Sequence, residues 1–157
     1  MAHRLHPNLV SEAVRDLLEE EWIAEGSPKA NGTGRSPIAL HLHPERRAAL
    51  AVSYNPSGMT CARVNAHGDV CDAITHTTIP TSPDELVALL AHVLQHMQSG
   101  YDGHVIGVGV ADPGMIDSRN DEIVRSSSFP DWHHVPIAEM LHHHLQLPII
   151  LEDVTRA

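Results

Sequence analysis

Aromatic side chains and long apolar runs are scarce in this sequence, and both shortages restrict what the chain can be. Aromatic residues make up 3% of it, so we expect a core built from aliphatic side chains. No apolar stretch is long enough to cross a membrane, and the first residues lack the pattern of a signal peptide. No internal repeat with a period of roughly 20 to 50 residues is present. We therefore expect a cytoplasmic protein with no membrane partner.

Cysteine is also scarce. The two cysteines, Cys61 and Cys71, do not have the Cys-x-x-Cys spacing of a redox or zinc motif. A reduced protein of the cytoplasm is the simplest interpretation. A Cys61–Cys71 disulfide across neighbouring strands is the alternative.

Positive charge is in short supply, above all in the second part of the chain. The formal net charge is −10 at pH 7. Residues 1–47 contain six Lys or Arg and seven Asp or Glu, whereas residues 48–157 contain four and thirteen. This change predicts a domain boundary after residue 47. The acidic second part is a poor match for nucleic acid, but a small DNA-reading unit in the first part is compatible with these charges.

Residues 1–47 predict a helix followed by a β-hairpin. Apolar residues recur at helical spacing over 8–24, and Gly26 is the expected stop. A Gly-rich turn with one Lys and one Arg leads to an alternating strand over 36–43. A helix and a hairpin with a basic tip form the second half of a winged helix-turn-helix. A helix packed on a hairpin, with no ligand, is the alternative interpretation.

Residues 48–157 predict a mixed α/β unit of the order β-β-β-α-β-α-β. Hairpin turns separate the first three strands, and Ser82-Pro83 begins the first helix as its N-cap and first turn. This order is the first half of an actin-like, ribonuclease H-like lobe. The predicted strands are 48–54, 59–64, 70–77, 104–111 and 148–151, and the helices are 82–99 and 136–145.

The most informative stretch covers residues 105–132. It begins as an apolar strand with glycine at every second position, which allows another backbone or a ligand to approach closely. A Pro-Gly pair at 113–114 then predicts a tight turn flanked by two carboxylates, Asp112 and Asp117. Such a turn at the carboxyl end of a strand is where open α/β sheets bind ligands.

This stretch resembles the sugar-binding lobe of the ROK family (repressors, open reading frames and kinases). In that family a segment of the form GVGVPGPVD…G.V..S.NLPGW shapes the sugar pocket. Residues 7–23 are similar to the recognition helix of ROK-type repressors, and residues 34–37 are similar to their Gly-Arg-Pro wing.

The resemblance implies an α/β chain with two parts. Residues 1–47 would form a partial winged helix (recognition helix plus wing). Residues 48–157 would form the N-terminal lobe of an actin-like, ribonuclease H-like ATPase fold. The two helices that precede the recognition helix in the family, and the second lobe with its zinc site, have no counterpart here. We therefore expect a fragment that holds no cofactor, since the family's zinc site would lie beyond residue 157.

The resemblance also implies partners and site residues. It predicts a DNA-binding transcriptional regulator that responds to a sugar or sugar phosphate. The candidates for DNA contact are Asn8, Ser11, Glu12 and Arg15 on the helix, with Lys29 and Arg35 on the wing. The candidates for sugar contact are Gly114, Asp117, Ser128, Glu152 and Asp153.

A ROK-type sugar kinase, like a hexokinase or glucokinase, is the alternative function. In the kinases a D.GGTK loop holds phosphate, but Ser53 stands here in place of its Asp, and Pro56 lacks an N–H. The family's catalytic Asp aligns with Val154, and Asp153 takes that role only if the alignment shifts by one residue. We therefore expect no enzymatic activity.

The fourteen histidines do not predict a metal site. His142, His143 and His144 are consecutive on a helix, so their side chains point about 100° apart. His92 and His96 have the right spacing to act together, but no third ligand accompanies them.

The apolar faces that the expected fragment leaves uncovered predict a homo-oligomer.

Overall fold

The computed structural model describes residues 7–27 and 38–155. The first part is a helix and a short hairpin: α1 (Pro7–Glu19), β1 (Ile23–Glu25) and β2 (Leu40–Leu42). Strands β1 and β2 pair antiparallel. The predicted tip of this hairpin, with Lys29 and Arg35, lies outside the described residues. The prediction of a helix over 8–24 was too long, because its last part is β1.

The early end of α1 has a cause in the backbone. Glu21 has a positive φ of 57°, its N–H donates to the Leu18 carbonyl (3.1 Å), and the Trp22 N–H donates to the Leu17 carbonyl (2.9 Å). These two bonds form the Schellman ending of a helix, in which the left-handed position is usually glycine. Here a glutamate occupies this position. Helix α1 therefore ends before Gly26, the glycine that the sequence predicted as its stop.

The second part is built on a five-stranded sheet with the order β10-β6-β3-β4-β5. Strands β3, β4 and β5 form an antiparallel meander, and β6 and β10 run parallel to β3 and to each other. The actin-like, ribonuclease H-like arrangement expected for this part is therefore observed. The strands are β3 (Arg47–Asn55), β4 (Gly58–Asn65), β5 (Val70–His76), β6 (His104–Asp112) and β10 (Ile149–Asp153).

Two helices, α2 (Pro83–Ser99) and α3 (Ile137–Leu145), pack against one face of this sheet and against each other. Helix α2 begins after Ser82 and ends at Gly100, as predicted, although the Ser82 side chain makes no capping hydrogen bond. The core between helices and sheet is mostly aliphatic. The expectation of a wholly aliphatic core was incomplete, because Tyr54, Phe129 and Trp132 form one buried aromatic cluster beside it.

A second, smaller sheet follows β6. Its strands are β7 (Met115–Asp117), β8 (Glu122–Arg125) and β9 (His133–Val135), in that order. Strands β7 and β8 pair as an antiparallel hairpin. Strand β9 was not predicted, since it is short, it starts with two histidines, and His134 has a positive φ of 50°.

The opposite face of the five-stranded sheet carries small side chains and no helix among the described residues. Ala51, Ala62 and Gly109 lie on this face, and the Ile150 side chain beside them is 68% exposed. Cys61 is buried, Cys71 is exposed, and neither forms a disulfide. No helix within residues 7–27 and 38–155 is long and apolar enough to span a membrane.

The boundary predicted after residue 47 coincides with the start of β3 and with a change in packing. None of the described residues before Ala48 is buried, whereas Ala48, Leu50, Val52 and Tyr54 all are. The part before Ala48 therefore has no core of its own in the described residues. The division of the chain into two domains stays a prediction.

The position of Leu90 in the core yields a test of this packing. Leu90 of α2 is completely buried, so Leu90→Ala should lower the free energy of unfolding by about 2–5 kcal/mol through lost contacts and a residual cavity. The matched control is Leu42 of β2, which is 48% exposed, and Leu42→Ala should change it by less than about 0.5 kcal/mol. Urea unfolding followed by circular dichroism measures both variants. Equal losses would contradict this core.

Candidate functional site

The carboxyl ends of parallel strands β6 and β10 meet at one edge of the five-stranded sheet. Asp112 ends β6, and Asp153, which ends β10, lies directly opposite it in the register. A cleft of about 600 Å³ opens at this edge between the two sheets. Its walls are formed by Gly114, Met115, Arg125, Ser126, Ser127, Pro130 and Asp153.

A buried carboxylate lies behind the cleft. Asp112 is fully buried, and the Tyr54 hydroxyl donates a hydrogen bond of 2.6 Å to its Oδ2. Its Oδ1 has no hydrogen-bond donor at good geometry within the described ranges. Burial raises the pKa of the Asp112 carboxyl above its ordinary value, the Tyr54 hydroxyl and the Gly114 N–H lower it, and the charge of Asp153 raises it again.

The pKa of the Tyr54 phenol, which donates to the Asp112 carboxylate, is raised as well. Burial raises the pKa of Tyr54 far above its ordinary value, and the charge of Asp112 and the hydrogen bond to it add to the effect. Tyr54 therefore stays protonated and acts as a fixed donor. The bond ties the end of β3 to the end of β6 directly behind the cleft.

Gly114 forms the floor of the cleft because no larger residue fits there. A Cβ at this position would lie 2.5 Å from Asp112 Oδ1, 2.7 Å from the Arg125 carbonyl oxygen and 2.9 Å from the Ser126 Cα. The turn that follows β6 thus packs directly onto the buried carboxylate and onto the strand end of β8.

The loop after β8 is fixed by serine hydroxyls. Ser126 is buried, and its Oγ accepts hydrogen bonds from the backbone N–H groups of Ser128 (3.2 Å) and Phe129 (3.1 Å). The Ser127 hydroxyl donates to the Pro113 carbonyl, which joins this loop to the turn after β6. The Trp132 indole N–H donates to the Thr81 carbonyl at 2.7 Å.

Sequence reasoning missed Arg125, Ser126 and Ser127 as cleft residues. The run of three serines before Phe129-Pro130 was a usable signal. These hydroxyls fall in the block that resembles the ROK pocket, but only the last of them, Ser128, was selected as a candidate.

The structure brings two of the five sugar candidates to the cleft. Gly114 and Asp153 line it, and Asp153 Oδ1 is held by the Thr155 N–H and hydroxyl, both at 2.7 Å. Val154 does not line the cleft and is 43% exposed. The residue of β10 that lies at the cleft is therefore Asp153.

The other three sugar candidates lie elsewhere. Asp117 closes the β7–β8 turn, where the Arg119 N–H and the Asn120 amide each donate to it at 2.9 Å and lower the pKa of its carboxyl. Ser128 is next to the cleft without lining it, and Glu152 lines a separate groove on the uncovered face of the sheet. Their assignment to sugar binding stays a prediction.

The stretch that aligns with the kinase phosphate loop is the tight turn between β3 and β4. The Ser57 N–H donates to the Asn55 side-chain oxygen at 2.8 Å, and Pro56 has no N–H to offer. Two backbone positions of this turn are therefore unavailable to a phosphate group.

The four DNA candidates of α1 lie on one exposed face of the helix, at positions 8, 11, 12 and 15. Arg15 is near three carboxylates of its own helix: Glu12 (4.0 Å), Asp16 (3.4 Å) and Glu19 (3.8 Å). To contact DNA, the Arg15 guanidinium would have to leave these carboxylates. Lys29 and Arg35 lie outside the described residues, so their assignment also stays a prediction.

No three His, Cys, Asp or Glu side chains come together in a metal-binding arrangement in the part of the chain that the structure describes. His92 and His96 are exposed on α2, and the three consecutive histidines are exposed at the end of α3.

Comparison with curated proteins gives two kinds of relative. The xylose repressor of Bacillus spizizenii is 23% identical over 158 residues, which is 98% of this chain and 40% of that protein. The glucokinase of Thermotoga maritima is 26% identical over 109 residues, which is 69% of this chain and 34% of that protein. The chain thus spans between a third and two fifths of the length of these relatives.

Comparison with solved structures gives the same two kinds. A ROK family transcriptional regulator, a homologue of the Escherichia coli MLC protein, superposes with a TM-score of 0.77 at 17% identity over 97% of this chain and 39% of that one. A ROK family glucokinase from Streptomyces griseus, in complex with glucose and AMPPNP, superposes with a TM-score of 0.61 at 18% identity over 68% of this chain and 33% of that one.

The family assignment rests on a match that covers most of the sheet and both helices that pack on it. The family model described as "ROK family" matches residues 57–157. With this match over more than half of its length, the chain belongs to the ROK family.

Proposed function

We propose that this chain is part of a sugar-responsive transcriptional regulator. The observation that carries the proposal is the extent of the similarity. The xylose repressor and the ROK regulator structure match 98% and 97% of the chain, so they include α1 and the β1–β2 hairpin. The two glucokinases match 69% and 68%, about the share that residues 48–157 represent.

In this proposal α1 is the recognition helix and the β1–β2 hairpin is the wing of a winged helix. Residues 1–47 are then the DNA-binding unit, and its partner is a DNA operator in the cytoplasm. Asn8, Ser11, Glu12 and Arg15 present polar groups to the major groove, and Lys29 and Arg35 extend from the hairpin tip. Few of these groups are cationic, so binding by a single copy would be weak.

The cleft at the carboxyl ends of β6 and β10 is the proposed effector site. The Asp153 carboxylate accepts hydrogen bonds from sugar hydroxyls, and the Gly114 turn lets a sugar ring approach the backbone closely. Asp117, Ser128 and Glu152 remain candidates for contacts outside this wall. A sugar or sugar phosphate is the effector class that fits these groups.

We also propose that the protein acts as a homo-oligomer. Leu9 and Leu17 of α1 are 58% and 40% exposed, and Ile150 is exposed on the uncovered face of the sheet. Large apolar side chains are thus exposed on two surfaces of the described residues. Such exposed apolar surface is typical of an interface, which a second copy of the chain would cover.

The DNA-binding proposal predicts a loss of affinity on Arg15→Ala. If the guanidinium neutralises one phosphate, the slope of log affinity against log salt should fall by about 0.9. Fluorescence anisotropy measures this with DNA that the protein itself selects from a random pool. Arg35→Ala should act in the same direction.

The control is Arg119→Ala, which removes an exposed arginine from the β7–β8 turn, far along the chain from α1. Its affinity and salt slope should equal those of the unchanged protein. If Arg15→Ala and Arg35→Ala also leave both quantities unchanged, α1 and the hairpin do not read DNA.

The effector proposal predicts opposite results for Gly114, which lines the cleft, and Gly109, which lies on the uncovered face of the sheet. Gly114→Ala places a Cβ 2.5 Å from Asp112 Oδ1 and should displace the turn, whereas a Cβ at Gly109 meets nothing within 4 Å. With xylose, glucose and glucose 6-phosphate as probes, backbone NMR shifts at Ser126 and Ser127 should respond to at least one sugar. Gly114→Ala should abolish the response and Gly109→Ala should retain it. Equal responses in both variants would exclude this cleft.

A sugar kinase is the second candidate function, because the two glucokinases match 69% and 68% of the chain. We expect no transfer of phosphate from ATP to glucose, since Ser53 replaces the loop carboxylate and Pro56 lacks an N–H. A coupled assay for glucose 6-phosphate measures this. Product that disappears on Asp153→Asn would establish the kinase instead.

A further inference from the structure

Among the described residues 8–19 of helix α1, no side chain is fully buried against the sheet lobe. None of the described residues in 8–27 and 38–47 is buried, and the α1 residues Val14 and Leu18 are only half-buried. An exposed helix of 13 residues is marginal in water without tertiary contacts. The residues just after the carboxyl end of α1 make polar contacts with the sheet lobe.

The carboxyl end of α1 rests on the first residue of β3. The Arg47 guanidinium donates from Nη2 to the Glu20 carbonyl oxygen at 2.5 Å. A cation at this end of a helix is favourable, because the last carbonyl groups lack partners inside the helix and carry partial negative charge. This bond crosses from the sheet lobe to the helix.

The same guanidinium also stacks on the indole that follows α1. Its central carbon lies 4.4 Å from the centroid of the Trp22 ring, within the range of a cation–π contact. The Trp22 indole N–H donates to the Glu20 carboxylate at 3.0 Å, and the Trp22 carbonyl accepts from the His43 N–H at 2.9 Å. Trp22 is thus held by α1 on one side and by the strand leading to β3 on the other.

A second arginine reinforces this contact. Arg46 Nε lies 3.4 Å from the Glu21 carboxylate, and Arg46 Nη1 lies 3.6 Å from the Asp102 carboxylate of the loop before β6. The Arg46 carbonyl accepts the His104 N–H of β6 at 2.9 Å. The backbones of Arg46 and Arg47 contact β6 of the sheet. Their side chains contact residues 20–22, which directly follow α1.

We propose that Arg47 is a positioning residue: together with Arg46, it fixes the direction of α1 on the sheet lobe by stacking on Trp22 and binding the Glu20 carbonyl. Arginine suits this role because its planar guanidinium can stack and donate hydrogen bonds at once, whereas a lysine ammonium is a point charge on a flexible stem. Within residues 7–27 and 38–155 the buried Arg47 Nε has no hydrogen-bond partner, so the stack and the Glu20 bond hold the group in spite of this cost.

Arg47 makes these contacts in the chain by itself, whether or not DNA is bound. Its role in DNA binding rests on the proposed function, in which α1 is the recognition helix. The direction in which Arg47 holds α1 then decides where Asn8, Ser11, Glu12 and Arg15 point, although Arg47 itself touches no DNA.

Hydrogen exchange on the full chain, without DNA, tests the role of Arg47. The cation–π contact and the charge-assisted hydrogen bond together predict that Arg47→Ala lowers protection of the Trp22 and His43 amides about tenfold. Amides of the core strands, such as Val52 and Val110, should keep their protection. Arg119→Ala is the matched control, since it removes an exposed arginine of the β7–β8 turn.

Residual dipolar couplings measure the direction of α1 in the same samples. In the unchanged protein and in Arg119→Ala, one alignment tensor should describe both α1 and the five-stranded sheet. In Arg47→Ala the couplings of α1 should shrink while those of the sheet persist, and Arg47→Lys should not restore them. Full restoration by lysine, or an unchanged α1 in Arg47→Ala, would overturn the proposal.

A further variant covers the case in which Arg47→Ala does not fold. Trp22→Leu removes the stack from the other side and leaves Arg47 in place. It should loosen α1 in the same two measurements while the sheet amides stay protected. If α1 keeps its direction in Trp22→Leu, the stack does not orient the helix and the proposal is wrong.

Discussion

The central strand β3 is the element on which the rest of the structure depends. It pairs with β4 on one edge and with β6 on the other, and every second side chain from Ala48 to Tyr54 is buried. A strand held on both edges and on one face cannot shift register without exposing its core side chains. Its ends are therefore fixed points, separated by roughly 23 Å of extended chain. Arg47 at one end holds α1, and Tyr54 at the other holds the carboxylate behind the cleft.

The fold was predictable where the sequence marks its elements locally. Helix α2 follows from Pro83 at its start, Gly100 at its end and the apolar spacing between them. The end of α1 was missed because a glutamate, Glu21, occupies a left-handed position that glycine usually marks. Strand β9 was missed because its pairing with β8, and not the preference of its residues, makes it a strand, with His134 in an unusual conformation. The secondary structure of such segments depends on tertiary contacts, and those contacts are not visible in a single sequence.

The candidate site was predictable where the backbone dictates the residue. Gly114 was selected from its Pro-Gly pair and it lines the cleft, and the structure shows that a Cβ has no room there; its role in sugar binding stays a prediction. Glu152 and Asp153 were both expected at the pocket, but neighbouring residues of a strand face opposite sides of a sheet, so only Asp153 reaches the cleft. The burial of Asp112 and its bond to Tyr54 depend on the register between β3 and β6. Nothing in the local sequence reveals that register.

The two tryptophans differ in burial and in the groups that stack on their rings, and both properties affect indole fluorescence. Trp132 is buried, stacks on Phe129 with centroids 4.6 Å apart, and donates its N–H to a carbonyl. Trp22 is half-buried beside a guanidinium. We therefore expect Trp132 to emit at the shorter wavelength and Trp22, which follows α1, to emit at the longer one. The chain carries its own pair of optical probes, one for each end of β3.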